Sequence, residues 1–115
     1  MGMTSARAWL AARGLEDRIR EFDVSSATVE LAAQALGVEP RCIAKTLSFY
    51  DGESALLVLA AGDAKIDNHK FKAEFGFKAK MLSPDDALRL TGHPVGGICP
   101  FGLANPLRIY LDASL

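Results

Sequence analysis

The sequence predicts one domain of mixed α and β structure, with at least one antiparallel pair of strands in its sheet. A chain of 115 residues falls within the usual size of a single domain. Half of the residues are apolar and 23% are charged, which is typical of a folded core rather than of a disordered chain. Helix-like segments with capping residues occur along the chain together with strand-like runs.

Two strand-like runs, Lys45–Tyr50 and Glu53–Ala61, flank the dipeptide Asp51-Gly52. Asp-Gly between two such runs is typical of a two-residue hairpin turn in which both central positions have a positive φ. Within the second run, Ala55–Ala61 is apolar on both faces. We therefore expect the second strand to lie in the centre of the sheet.

Caps, prolines and glycines mark further elements along the chain. They predict helices over Thr4–Arg13, Val29–Leu36, Asp67–Phe75 and Ser83–Gly92, and a helical turn over Pro40–Ile43. Alternating or strand-like residues predict strands over Arg18–Phe22, Lys78–Leu82 and Leu107–Asp112. Residues 93–102 are rich in glycine and proline, so we expect them to form a loop.

The composition excludes several classes of protein. The longest apolar stretch, Ala55–Ala61, is much shorter than the ~20 residues of a membrane-spanning helix. The N-terminus lacks the apolar segment and cleavage site of a secretory signal, and Cys42 and Cys99 are too few for a disulfide framework. We therefore expect a cytoplasmic protein with no membrane partner. Because the net charge is −1, any attraction to nucleic acid must come from a local patch or a partner.

Lys45 is an unusual residue in the predicted hairpin. Alternate strand residues share a face, so Lys45 lies on the side of Leu47 and Phe49, and a turn at Asp51-Gly52 places it opposite Val58. An ammonium group on an apolar face is costly unless it reaches an anion or a cavity. Two interpretations stay open: the side chain extends from the start of the strand into water, or it serves a site.

The segment Gly96-Gly97-Ile98-Cys99-Pro100 is the second candidate for a site. Adjacent glycines let a backbone approach a ligand closely and direct successive N–H groups into one concavity, which suits a carboxylate, a phosphate or an oxyanion. Pro100 would stiffen this loop. An ordinary surface turn is the alternative interpretation.

Cys99 is a candidate nucleophile with His93 as its base, although the sequence does not show that the two meet. Cys42 lies on a predicted helical turn among apolar neighbours, so we expect it to pack in the core. The histidines and cysteines lack metal-ligand spacing, and the motifs GxxxxGK[ST], GxGxxG and HExxH are absent. We therefore expect no metal site.

A run of basic residues forms the one local positive patch. Its members are Lys65, His69, Lys70, Lys72, Lys78 and Lys80. Such a run is usually a solvated face, although a phosphate backbone could bind to it.

A series of short motifs occurs in unbroken order from about Phe22 to the C-terminus. They are Ala32-Ala33, Leu36-Gly37, Ile43-Ala44-Lys45-Thr46-Leu47, Gly62-Asp63, Thr91-Gly92, Gly96 to Gly102 and Leu111-Asp112. This combination resembles the YbaK/EbsC family of aminoacyl-tRNA deacylases, which is related to the editing domain of bacterial prolyl-tRNA synthetase.

The resemblance implies a single editing domain over residues 1–115, with a curved, mixed β-sheet, surrounding helices and a pocket for the 3′ end of tRNA. It implies hydrolysis of the ester that joins a wrong amino acid to tRNA, of the Cys-tRNA(Pro) or Ala-tRNA(Pro) type. It also implies that no metal or organic cofactor takes part. The partner is then tRNA, and prolyl-tRNA synthetase is a second candidate partner.

The same resemblance assigns roles to individual residues. Lys45 matches a lysine required for activity, and the backbone of Gly96 and Gly97 would supply N–H donors for the oxyanion of ester hydrolysis. Pocket-lining or supporting positions are implied for Thr46, Gly62, Asp63, Thr91, Ile98, Cys99, Pro100 and Asp112. Water, and not Cys99, is the expected nucleophile.

Family members usually continue past the final aspartate with another strand and helix, whereas this sequence ends at Leu115. A naturally short form, a truncated chain and an incomplete gene product all fit this difference. A missing strand would leave a sheet edge open to pairing, for example in a homodimer. A non-catalytic module that binds tRNA or a synthetase is the alternative function, and a thiol hydrolase that uses Cys99 is the third.

Overall fold

A β-hairpin forms the centre of the fold. In the computed structural model, which describes residues 2–115, β1 (Ala44–Asp51) and β2 (Ser54–Ala61) are antiparallel, and β3 (Arg108–Leu111) pairs parallel to β2. The strand order β1-β2-β3 places β2 in the centre, as its two apolar faces predict. The predicted mixed α and β fold class is confirmed, because one sheet contains an antiparallel and a parallel pair.

Helices surround the sheet at the predicted places. They are α1 (Met3–Ala11), α2 (Val29–Leu36), α3 (Asn68–Phe75) and α4 (Pro84–Thr91), with a 3₁₀ helix over Pro40–Cys42. A second 3₁₀ helix, Glu16–Arg18, was not predicted. The side chains of Thr28, Asp67 and Ser83 each accept a hydrogen bond from a backbone N–H in the first turn of the helix that follows. Among residues 2–115, no helix is long and apolar enough to cross a bilayer.

Two apolar clusters lie on opposite faces of the hairpin, because alternate strand residues point to opposite sides. The buried residues of the first cluster, on the side of α3, are Phe49, Leu56, Val58 and Phe71. Those of the second, on the side of α4, are Ala55, Leu82, Ala87 and Leu90. The hairpin therefore has an α3 side and an α4 side.

The hairpin turn lies one residue later than predicted. Asp51 pairs with Ser54, so Gly52 and Glu53 are the central residues of the turn. Gly52 has a φ of 62°, and in the described chain no residue other than glycine has a positive φ. This sign pattern is that of a type II′ turn, which needs glycine only at its first central position. Lys45 consequently pairs with Ala60, and the predicted pairing with Val58 is wrong.

Two other predicted strands do not form as predicted. Arg18 ends a 3₁₀ helix, and residues 19–22 pair with no strand in the described chain. Glu21 instead forms an ion pair with Arg7 of α1. Residues 78–82 contribute only one isolated bridge, between Met81 and Phe49. Alternation indicates a half-buried segment but does not show how far it pairs. Residues 19–22 have no neighbouring strand in the described chain, and residues 78–82 are joined to β1 only around that bridge, by hydrogen bonds from the Tyr50 N–H to Lys80 and from the Leu82 N–H to Ser48.

Cys42 is exposed, so its predicted place in the core is wrong. It ends the 3₁₀ turn Pro40–Cys42, and all three residues of that turn lie on the surface. The turn presents its backbone, and not its side chains, to the rest of the fold: the carbonyl oxygen of Pro40 lies against Gly62.

Candidate functional site

Lys45 is the second residue of β1 and lies on the α3 side of the hairpin. Its side chain is half-buried, and Nζ donates hydrogen bonds to the carbonyl oxygen of Gly62 at 3.2 Å and to that of Ala64. Both carbonyls belong to the segment between β2 and α3. No ion pair of the described chain includes Lys45. The ammonium group is therefore held by carbonyl dipoles that do not cancel its charge.

Three other predicted site residues lie at the same end of the sheet. Gly62 and Asp63 follow β2, and Asp112 follows β3, which runs parallel to β2. The N–H of Asp112 donates to the carbonyl oxygen of Leu59 at 2.8 Å, so the chain stays in register beyond the strand. Asp112 is then two strands away from Lys45 on the same face, a separation of about 10 Å at ordinary strand spacing.

Ser114 fixes the position of Asp112. The Asp112 carboxylate accepts a hydrogen bond from the Ser114 N–H at 2.9 Å, and the Ser114 hydroxyl accepts one from the Ala61 N–H at 3.0 Å. Hydrogen bonds from the hydroxyl and then the N–H of Ser114 lower the pKa of Asp112, and the charge of Lys70 adds a smaller effect. Sequence reasoning missed Ser114, although Asp-x-Ser is the pattern of an Asx-turn.

Gly62 is the point at which the end of the sheet touches α2. A Cβ atom at Gly62 would lie 2.2 Å from the carbonyl oxygen of Pro40 and 2.6 Å from Val29 Cγ1. Close approach therefore requires glycine here. Thr46, the next predicted contact residue after Lys45, is half-buried and faces the α4 side of the hairpin.

Gly96 and Gly97 belong to a turn that begins at Pro94. The Gly97 N–H donates to the carbonyl oxygen of Pro94 at 2.9 Å, and Gly96 has the positive φ of 91° that the third position of a type II turn requires. The Gly97 N–H is therefore used within the loop. The N–H groups of Gly96, Ile98 and Cys99 have no acceptor in the described chain, so they are the donors available to a ligand.

The side chains around this turn anchor it to the fold. Ile98 packs against the cluster on the α4 side, and the Phe101 ring lies 5.1 Å from the Trp9 ring of α1. Thr91 is fully buried; its hydroxyl donates to the carbonyl oxygen of Ala87 at 2.6 Å and accepts the His93 N–H at 3.0 Å. Thr91 thus supports the start of the loop and does not face solvent.

The structure brings Cys99 and His93 together, with Sγ 3.7 Å from Nε2. His93 Nε2 also lies 2.7 Å from the carbonyl oxygen of Phe101. Because that oxygen only accepts, Nε2 carries the hydrogen and cannot take the thiol proton. His93 Nδ1 is buried and has no partner among residues 2–115. Burial also raises the pKa of the Cys99 thiol, which disfavours a thiolate nucleophile.

The segment before and at the start of α2 connects the two parts of the candidate site. A Cβ atom at Gly96 would lie 3.5 Å from Ala27 Cβ, and Val29, two residues later, contacts Gly62. Lys45 binds the carbonyl oxygen of that same Gly62. The amine and the glycine turn therefore flank residues 27–29, and no hydrogen bond of the described chain joins them directly.

The sequence model of the aminoacyl-tRNA editing domain matches residues 23–115. The chain belongs to the aminoacyl-tRNA editing domain family. The resemblance to the YbaK and prolyl-tRNA synthetase editing proteins is thereby confirmed. YwhH of Bacillus subtilis (strain 168), which is described as uncharacterized, is 52% identical over 116 residues that cover 100% of this chain and 74% of YwhH.

Two further matches are a proline–tRNA ligase and a solved crystal structure. The proline–tRNA ligase of Thermosipho melanesiensis (strain DSM 12029 / CIP 104789 / BI429) is 37% identical over 89 residues, which are 76% of this chain but 16% of the ligase. A crystal structure described as that of a proposed trans-editing enzyme for prolyl-tRNA synthetase has a TM-score of 0.85 and 32% identity, covering 96% of this chain and 71% of its own. The fold is therefore that of this editing domain, and the chain spans a small part of the ligase.

Proposed function

We propose that this chain is a trans-editing hydrolase that removes a wrong amino acid from tRNA by cleaving the aminoacyl ester. Membership of the editing family supports this reaction type. Similarity to proline–tRNA ligases and to a proposed trans-editing enzyme supports Cys-tRNA(Pro) or Ala-tRNA(Pro) as the substrate class. The observation that carries the proposal is the half-buried ammonium group of Lys45, held at the end of the sheet by the carbonyls of Gly62 and Ala64.

In the proposed reaction, water adds to the carbonyl carbon of the ester and the bond from that carbon to the ribose oxygen breaks. One proton of the water is transferred to the ribose oxygen, so the products are the free amino acid and tRNA with its terminal hydroxyl restored. Negative charge develops on the carbonyl oxygen before the bond breaks. Lys45 and the N–H groups of Gly96 and Ile98 are the proposed donors to this charge, and Gly97 closes the turn that presents them.

The remaining predicted site residues divide into contact and support roles in this proposal. The carboxylate of Asp112 lies on the same face as Lys45 and suits the α-ammonium group of the amino acid. Thr46 and Thr91 act as supports, since one faces the α4 side of the hairpin and the other is fully buried. Substrate-contact roles are proposed for Gly62, Asp63, Ile98, Cys99 and Pro100 through backbone or exposed atoms.

The test is deacylation of tRNA(Pro) charged separately with proline, alanine and cysteine. We expect the chain to hydrolyse the alanyl or cysteinyl ester and to spare the prolyl ester. Alanine and cysteine differ by one small group, and a hydrophobic pocket discriminates a group as small as a methylene by only ~1–3 kcal/mol, so both wrong amino acids are expected to react at measurable rates. Absence of hydrolysis with every member of the panel would reject the proposal.

A non-catalytic module that binds tRNA or a synthetase is the second candidate function. It is favoured because two of the proposed hydrogen-bond donors already bind acceptors within the protein. Lys45 binds two backbone carbonyls, and the Gly97 N–H binds the carbonyl oxygen of Pro94. Stable binding of mischarged tRNA without release of the amino acid would support this candidate. Binding to prolyl-tRNA synthetase is assayed in the same way, with the purified synthetase as the probe.

A homodimer formed through the outer edge of β3 is a further part of the proposal. The Asp112 N–H points towards β2, so by alternation the backbone groups of Ile109 and Leu111 point away from it. Their side chains are 43% and 72% exposed. In an antiparallel pair of β3 strands centred on Tyr110, Ile109 would lie opposite Leu111 of the second copy and form an apolar contact. Arg108 would lie opposite Asp112 of the second copy, so the two side chains would carry opposite charges.

Light scattering coupled to gel filtration tests this edge. We expect a dimer for the unchanged chain and a monomer for Leu111→Lys, because a lysine on the edge strand opposes pairing. A monomer at all concentrations would reject the dimer without affecting the proposed reaction. A cytoplasmic location is proposed on the basis of the tRNA substrate class and the two free cysteines.

A further inference from the structure

Two depressions lie on different sides of α3 and differ in charge. The larger, of about 660 Å³, lies between α3 and β3 and has a small excess of negative charge, because Lys65 and Lys70 face it together with Asp67, Glu74 and Asp112. The smaller, of about 440 Å³, lies between α3 and the segment after it. Its lining residues are Asn68, His69, Lys72, Lys78 and Ala79. None of these residues carries a negative charge, so the second depression is a basic cleft.

The lysines of the basic cleft form no ion pair with residues 2–115. Lys72 and Lys78 are exposed, and every ion pair of the described chain is made by an arginine: Arg7, Arg41 or Arg89. His69 and Lys72 are three residues apart on one face of α3, and Lys78 faces them from the next segment. Lys80, by contrast, lies over the Tyr50 ring, 5.4 Å from its centroid, and is not part of the cleft.

The basic cleft lies close to the candidate site along the chain. Ala64 accepts a hydrogen bond from Lys45, and α3 begins four residues later at Asn68. The eight residues of α3 span about 12 Å at the ordinary helical rise. A ligand whose end reaches Lys45 can therefore extend over α3 to Lys72 and Lys78.

We infer that the basic cleft binds backbone phosphates of tRNA while the 3′ end of the tRNA lies at Lys45. This inference rests on the proposed function for the choice of nucleic acid. The net charge of −1 gives no general attraction to a polyanion, so a local site must both supply the attraction and orient the ligand. Lys72 and Lys78 supply the charge, and Asn68 and His69 add hydrogen-bonding groups.

The test measures binding of uncharged tRNA by fluorescence anisotropy over a range of salt concentrations. The variant Lys72→Gln/Lys78→Gln removes two positive charges from the cleft. The matched control Arg18→Gln/Arg20→Gln removes two from exposed positions elsewhere. If each lysine neutralises one phosphate, the slope of log K against log salt concentration should fall by about 1.4–1.8. Affinity at 0.1 M salt should then fall roughly 25- to 60-fold.

The control should keep the slope and affinity of the unchanged chain. Equal losses of affinity in both double variants would overturn the inference, because they would reflect net charge alone. Unchanged affinity of the lysine variant would also overturn it. Circular dichroism and thermal unfolding establish that both variants fold. The binding assay does not depend on hydrolysis, so the two proposals can fail separately. Loss of affinity in the lysine variant, with no deacylation by the unchanged chain, would reject the proposed function and support this inference. Deacylation by the unchanged chain, with full affinity in the lysine variant, would support the proposed function and reject this inference.

Discussion

The two parts of the candidate site are positioned by different kinds of structure. Lys45 is held by a regular ladder of eight paired residues in each strand of the hairpin. The turn at Gly96 and Gly97 has no regular structure and depends on buried polar contacts from Thr91 and His93. A change at the sheet end should therefore act through steric fit, and a change near the turn through lost hydrogen bonds.

The largest expected effect on stability is that of Gly62→Ala. The new methyl group would overlap the carbonyl oxygen of Pro40 and the side chain of Val29, so the end of β2 must move away from α2. We expect a loss of roughly 2–3 kcal/mol in the free energy of unfolding by urea. Gly97→Ala is the matched control, with its nearest neighbour 3.7 Å away, and should change stability by less than ~0.5 kcal/mol. Equal effects would contradict the role given to Gly62.

Thr91→Val should have the next largest effect. Valine keeps the shape of threonine but removes the hydroxyl that binds Ala87 and accepts the His93 N–H, so buried backbone groups lose their partner. The expected cost is about 1–2 kcal/mol in urea unfolding. Thr46→Val changes a half-buried threonine of the hairpin and should cost clearly less. A smaller loss at Thr91 than at Thr46 would show that the loop is held by other contacts.

The smallest expected difference is in the reactivity of the two cysteines. Cys42 is exposed, whereas burial raises the pKa of Cys99, so less of Cys99 is thiolate at a given pH. Iodoacetamide at pH 8 should modify Cys42 several-fold faster than Cys99, and the rate at Cys99 should keep rising at higher pH. Peptide mass spectrometry measures both rates. Cys99→Ser should retain deacylation. Faster modification of Cys99, or loss of activity in Cys99→Ser, would revive the thiol mechanism.

Local patterns were sufficient to predict most of the fold. The caps Thr28, Asp67 and Ser83 set the helix starts because their side chains satisfy nearby N–H groups. The hairpin register was wrong because Asp-Gly predicts a turn with two positive φ values, whereas only Gly52 adopts one. The strand over Arg18–Phe22 was wrong because alternation cannot show whether a neighbouring strand exists.

The relative positions of the site residues could not be predicted from local patterns. Gly96 lies beside Ala27, and the Ser114 hydroxyl accepts a hydrogen bond from the Ala61 N–H, so in both cases segments far apart in the sequence come together. The hydrogen bond of the Gly97 N–H within its own turn could not be predicted either. A Gly-Gly pair is compatible both with a ligand-binding nest and with a simple turn, so the sequence does not distinguish them. The resemblance proposed the site residues, and it did not predict their geometry.

The most direct test of the central claim is the single-turnover deacylation rate of mischarged tRNA(Pro) by Lys45→Ala. Removal of a donor to the developing oxyanion should slow hydrolysis by about 100-fold or more in a variant that remains folded. Lys80→Ala, which alters an exposed lysine that lies over the Tyr50 ring and outside both depressions, is the matched control and should hydrolyse at the rate of the unchanged chain. A rate for Lys45→Ala within about threefold of the control would contradict the account, since Lys45 would then only tie the loop to the sheet.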